Sequence, residues 1–129
     1  MVITEDLQQR SYSTAEESIL SKANNHYDKD NYEEAIEWYL AAIEQGAELN
    51  AQDHYQLADA FYSVGDKDDE IIHLRIATEK DPANAWWFFY LGNALSCRDE
   101  DQEDCELAYL DAVKVRPDFA EVWAQLGHI

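Results

Sequence analysis

The chain is poor in positive charge. Nine Lys and Arg stand against 28 Asp and Glu, leaving a formal net charge of -19 and a sequence pI near 4.2. A protein that grips a nucleic-acid backbone neutralises phosphates with clustered cations, so that class is excluded. Docking on an anionic membrane surface is disfavoured for the same reason. A basic partner is what the charge favours, beside plain solubility. Two cysteines, Cys97 and Cys105, are too few for a disulfide-dense scaffold. The most apolar run, Ala85 to Leu91, falls far short of the ~20 residues that a bilayer span needs. The opening residues MVITEDLQQR hold acids and no apolar core, unlike a signal peptide. No Asn-x-Ser/Thr sequon occurs. The chain therefore reads as soluble and cytoplasmic, with reduced thiols.

Sites for chemistry are equally scarce. The four histidines, at 26, 54, 73 and 128, lack the spacings of a metal-binding helix, and no Cys-x2-Cys pair exists. His54 falls where a core aromatic is expected, so a packing role is favoured over ligation. Cys97 and Cys105 read as plain helix residues. The acidic run Asp99 to Asp104 begins like a calcium loop, but it lacks the glycine such a loop needs, and Leu110 stands where its closing glutamate belongs. A solvated turn is the better reading. No glycine-rich phosphate loop, nucleophile elbow or nucleophile-base pair is present. No catalytic, cofactor-binding or metal-ligating residue is assigned, and the chain is expected not to be an enzyme.

What the sequence does have is apolar surface and a repeat. Hydrophobic residues make up 47% and aromatics 12% of 129 residues, enough for one compact domain or a short array. Pro82 and Pro117 are 35 residues apart, and so are successive members of the set Ala42, Ala77 and Ala112. Leu57, Leu91 and Leu126 recur at spacings of 34 and 35, followed by Ala58, Gly92 and Gly127. Within each unit the apolar residues keep a helical period. His54, Leu57, Ala58, Phe61 and Tyr62 form one stripe, and Ile71, Leu74 and Ala77 the next. The third unit repeats this with Phe88, Leu91, Gly92 and Leu95, then Tyr109, Ala112 and Val113. The first unit gives Ile19, Ala23 and Tyr27, then Tyr32, Ala35, Ile36, Tyr39, Ala42 and Ile43. Breaks at Asp30-Asn31, Gly65-Asp66, Asp81-Pro82 and Arg116-Pro117 separate the helices. No stretch alternates with period two long enough to suggest a strand.

At these residues the chain resembles the tetratricopeptide repeat (TPR) family, whose signature runs W-x2-L-G-x2-Y, A-x3-F-x2-A, P. It is matched by Phe88-x2-Leu91-Gly92-x2-Leu95 with Cys105-x3-Tyr109-x2-Ala112-x4-Pro117. It is matched again by His54-x2-Leu57-Ala58-x2-Phe61 with Glu70-x3-Leu74-x2-Ala77-x4-Pro82, where Glu70 departs from the family's alanine. The first unit is weaker in its first half and good over Ala35-x3-Tyr39-x2-Ala42. The third turn holds one extra residue. The resemblance implies an all-α fold, a right-handed α-solenoid of helix-turn-helix repeats, three repeats plus the first helix of a fourth. Residues 1–15 would be a lead-in segment, with repeats over 16–50, 51–84 and 85–119 and a partial repeat over 120–129. Trp123 and Leu126 on that last helix would expose apolar surface. The expectation is a fragment of a longer array, or a homodimer through the C-terminal helix.

In the family, the side of each first helix opposite the core stripe lines a concave groove. Carried over, that side places Asn24 and Asp28 from repeat one, Tyr55, Gln56 and Asp59 from repeat two, and Trp86, Phe89, Tyr90 and Asn93 from repeat three. This set has no cation, and consecutive rings in Ala85–Tyr90 cannot all face one core. It suits a protein or peptide partner, a basic one being allowed, held by aromatic hot spots. Some family members clamp the acidic tail of heat-shock chaperones with Lys, Asn and Arg. The matching positions here are Leu20, Asn24, Gln56, Trp86 and Tyr90, of which only Asn24 fits. Two alternatives accompany this protein-interaction reading. One is a small self-associating chaperone or adaptor, similar to the three-repeat TPR chaperones of bacterial secretion systems. The other is the N-terminal regulatory part of a longer TPR-containing enzyme.

Overall fold

The computed structural model describes residues 19–127. The lead-in expected over 1–15, the opening of repeat one over 16–18, and His128 and Ile129 at the end of the partial repeat lie outside them. Every regular element among the described residues is helical. They are α1 (19–28), α2 (Tyr32–Glu44), α3 (Ala51–Val64), α4 (Lys67–Lys80), α5 (Ala85–Leu95), α6 (Gln102–Val115) and α7 (Ala120–Leu126), with a 3-10 turn at Asp99–Asp101 before α6. No helix among the described residues is long and apolar enough to cross a membrane. The chain divides between Leu49 and Asn50 into two compact units.

In the first unit, α1 and α2 are joined by a short turn in which Asp30 takes a left-handed conformation (φ 62°). The Asn31 amide donates to the His26 carbonyl at 2.8 Å and closes α1. Ala23, Ala35, Tyr39 and Ala42 are fully buried. The small side chains allow close helix approach, and the one large ring fills the space between them. Ile43, counted with this stripe in the sequence, is 39% exposed.

The second unit starts from strong helix punctuation. Asn50 and Asp53 form a reciprocal capping box on α3. Gly65 ends α3 at φ 84°, a conformation that L side chains resist, and Asp66 caps α4 by accepting from the Asp69 amide. Asn84 accepts from the Trp86 and Trp87 amides to cap α5. Phe119 begins α7 and is fully buried, its ring 4.7 Å from Trp86 and 5.3 Å from Phe89. Removing a ring from such a position costs ~3 kcal/mol or more.

The third turn departs from the sequence reading. The α5–α6 link runs over 96–101, against Gly65 and Asp66 alone between α3 and α4, because α5 stops three residues earlier in its repeat than α3 and the extra residue adds one more. Cys97 therefore lies in the turn and is exposed; only Cys105 is a helix residue, and it is buried. Burial pushes the Cys105 thiol up from its ordinary range. A thiol-alkylating reagent at neutral pH should thus modify Cys97 and spare Cys105 until the chain is unfolded, as peptide mass mapping would read. The acidic run is tied down by cations. Arg75 pairs with Asp104 at 3.3 Å, and Arg98 pairs with Asp68 and with Asp101.

Two buried histidines join α3 to α4. Nδ1 of His54 lies 3.0 Å from Nδ1 of His73, so one ring donates and the other accepts. His73 stacks on Phe61, with ring centres 5.7 Å apart. On α7, Trp123 is 39% exposed and donates its ring N–H to the Pro117 carbonyl, while Leu126 packs against the core.

Candidate functional site

The three repeats place the same kind of residue pair between their first and second helices, with one exception. In the first unit, the Tyr39 hydroxyl donates to Asn24 Oδ1. In repeat three, the Tyr109 hydroxyl donates to Asn93 Oδ1 at 2.7 Å. A small residue one turn before each tyrosine, Ala35 or Cys105, is buried beside it. Burial lifts the Tyr109 hydroxyl to about 12, so it stays a donor. Repeat two has Asp59 where the others have Asn, Leu74 where they have Tyr, and Glu70 where they have Ala or Cys.

These substitutions coincide with a pocket of about 330 Å³. It is lined by Tyr55, Ala58, Asp59 and Tyr62 from α3, Glu70 and Leu74 from α4, and Tyr90 and Asn93 from α5. Leu74 replaces a phenol with a shorter side chain, so it does not fill the equivalent space. Glu70 is 6% exposed, and the Lys67 ammonium stands 2.8 Å from its Oε1. That i,i+3 ion pair within α4 meets the charge of the buried carboxylate. The same ammonium lies 5.3 Å from the centre of the Tyr62 ring. Tyr62, assigned to the core stripe from the sequence, is instead 61% exposed.

The rings continue beyond the pocket. Tyr55 stacks on Trp87 at 5.5 Å and on Tyr90 at 5.8 Å, and Tyr90 lies 6.0 Å from Trp86. Trp86 is 41% exposed, and the Arg116 guanidinium lies 5.9 Å from its centre.

No family model matches the sequence, and no curated protein does. Solved structures do match. The fold superposes on the crystal structure of MamA with a TM-score of 0.73 at 19% identity, covering 92% of this chain and 68% of that one. It superposes on YrrB, described as a TPR protein with an unusual peptide-binding site, with a TM-score of 0.76 at 19% identity. There it covers 85% of this chain but only 56% of YrrB. It also superposes on the first TPR of Spaghetti (RPAP3) bound to the HSP90 peptide SRMEEVD, with a TM-score of 0.66 at 16% identity over 86% of this chain and 89% of that one. The chain has the TPR fold.

Within that fold, the residues expected in the groove go to different places. Tyr55, Asp59, Tyr90 and Asn93 line this same pocket. Trp86 and Phe89 pack edge-on to each other and against Phe119, so part of each ring serves the core. Gln56, partly buried on α3, accepts from Gln52 Nε2 at 3.2 Å. Asn24 and Asp28 belong to the first unit, where Asn24 bonds Tyr39 and Asp28 is exposed. In both TPR units the asparagine oxygen is taken by a tyrosine of its own repeat, which gives it a structural role. The sequence reading missed Glu70, Leu74 and Tyr62 as pocket residues.

Proposed function

We propose that the chain is a protein-interaction module that binds a peptide segment of a partner along the α3–α5 face of its second unit, with Tyr55 and Tyr90 as the main contacts. The observation that carries this is the pocket itself, a concavity with tyrosine rings on two helices, a carboxamide and two carboxylates. Rings of this kind add contact area at little entropic cost, and Tyr is enriched among interface hot spots. Two of the structurally similar proteins are described with a peptide or a peptide-binding site, in keeping with this use of the fold.

Selection of random peptides displayed on phage against the purified chain tests the proposal. A family of related peptides should be enriched. Tyr55→Ala and Tyr90→Ala should each weaken binding of the selected peptides by about tenfold or more, with the helical circular dichroism unchanged. Undiminished binding to both variants would remove the pocket from the interface.

A further inference from the structure

In repeat three the ring of Tyr109 is held between its own two helices. It lies against Gly92 and 6.3 Å from the Phe89 ring centre, with its hydroxyl donated to Asn93 and with Cys105 beside it. In repeat two the positions of Phe89, Gly92, Asn93 and Cys105 are held by Tyr55, Ala58, Asp59 and Glu70, and all four line the pocket of about 330 Å³. Leu74 lines it too, at the position of Tyr109 itself. We infer that this pocket is a socket for a tyrosine side chain of the bound partner, whose ring takes the place that Tyr109 fills from within its own repeat. The inference rests on the peptide-binding reading only for where that side chain comes from.

A leucine ends short of the point that a phenol reaches, and the space beyond it stays open. The charge of Glu70 is already met, since the Lys67 ammonium stands 2.8 Å from its Oε1. What the pocket offers is therefore room for a ring, apolar surface from Ala58 and Leu74, and a hydrogen-bond acceptor. Asp59 supplies the acceptor at the position where Asn24 and Asn93 each take a tyrosine hydroxyl. A carboxylate has about four acceptor sites, so the contact it makes within the chain leaves others for a phenol. A hydrogen bond to an ionised acceptor is about twice as strong as one between neutral groups. The edge of an aromatic ring carries the positive end of its quadrupole, which suits it to lie beside carboxylates. Phenylalanine would fill the space without the hydrogen bond. A phosphorylated tyrosine would bring negative charge against Asp59 and a chain of net charge -19, and is excluded.

The test titrates p-cresol, the tyrosine side chain without its backbone, into the isotope-labelled full chain and follows amide resonances. Toluene and p-tolyl phosphate are the controls. Saturable shifts of Ala58, Asp59 and Leu74 are expected with p-cresol, with binding about tenfold weaker for toluene and none for p-tolyl phosphate. The double variant Glu70→Ala, Leu74→Tyr writes Ala35 and Tyr39 of repeat one into repeat two, so its own ring should fill the socket and abolish the shifts. Asp59→Ala should bring p-cresol down to the level of toluene, which keeps the test valid even where the double variant fails to fold. Equal binding of p-cresol and toluene to the unaltered chain, or undiminished p-cresol binding to the folded double variant, overturns the socket. The phage-selected peptides separate the two readings. Peptides enriched without a retained tyrosine overturn the socket and leave peptide binding standing. Saturable p-cresol binding at these residues with no peptide enriched does the reverse.

Discussion

Gly92→Ala is expected to lower the unfolding free energy by about 2 kcal/mol, the range for forcing an extra methyl into a packed core. A Cβ at this position would lie 2.4 Å from Cε1 and 2.5 Å from Cδ1 of Tyr109. The ring has no room to retreat. Tyr109 is 4% exposed, its hydroxyl is bonded to Asn93 at 2.7 Å, and the Cys105 thiol donates to the Gly92 carbonyl at 3.2 Å. The motif alone does not demand glycine, because Ala23 stands at the same position opposite Tyr39 in repeat one. The demand comes from how near the Tyr109 ring lies. Urea unfolding should show a lower midpoint with an unchanged slope. Repeat two supplies the compensating pair, Ala58 with Leu74. The double variant Gly92→Ala, Tyr109→Leu should therefore lose clearly less than the two single losses added. Simple additivity would show that the clash is not the cause.

Acidification from neutral pH to about 4 should weaken the second unit by on the order of 3 kcal/mol through His73 alone. Burial, followed by the neighbouring His54, lowers His73 from 6.5 to about 4. Burial also lowers His54, aided by Lys80 and opposed by Asp53. The sign follows from where each state takes up its proton. The unfolded chain binds it near 6.5 and the folded chain only near 4, so the stabilisation is whole above 6.5 and drains away between those two values. The bridging hydrogen bond makes the neutral form specific, because two imidazolium rings have only donors to offer each other across 3.0 Å. Denaturant titrations at stepped pH would measure the slope. His54→Leu with His73→Leu should flatten it over that window; an equally steep profile in the double variant would place the acid response elsewhere.

The repeat frame was readable in the sequence because the same physical constraint recurs. Close helix approach demands Ala23, Ala58 and Gly92 opposite Ala42, Ala77 and Ala112, and Gly65, Pro82 and Pro117 mark the ends of α3, α4 and α6. The site was only half readable. Periodicity around α3 and α5 picks out Tyr55, Asp59, Tyr90 and Asn93, since it reports which way a residue faces on its own helix. It does not report what a neighbouring helix leaves empty. Glu70 was visible as a departure from the family's alanine, and Leu74 passed as an ordinary core residue. Their meaning appears only when they are set beside Ala35 with Tyr39 and Cys105 with Tyr109 in three dimensions. Tyr62 keeps the period of the core stripe yet points outward, because it falls in the last turn of α3. The Cys97 reading failed for a similar reason: α5 ends at Leu95, earlier in its repeat than α3 does, and no local property of cysteine announces it.

The long α5–α6 link carries an experimental advantage. Cys97 is its exposed thiol, and its Sγ lies 3.7 Å from the carbonyl oxygen of Asn93, one helical turn away along the same stretch of chain. Asn93 is also a wall of the pocket. A fluorophore attached to the native thiol would therefore sit next to the pocket without displacing any residue that lines it. The protein comes with its own reporter position, and occupancy could be followed by emission in real time with no engineered cysteine.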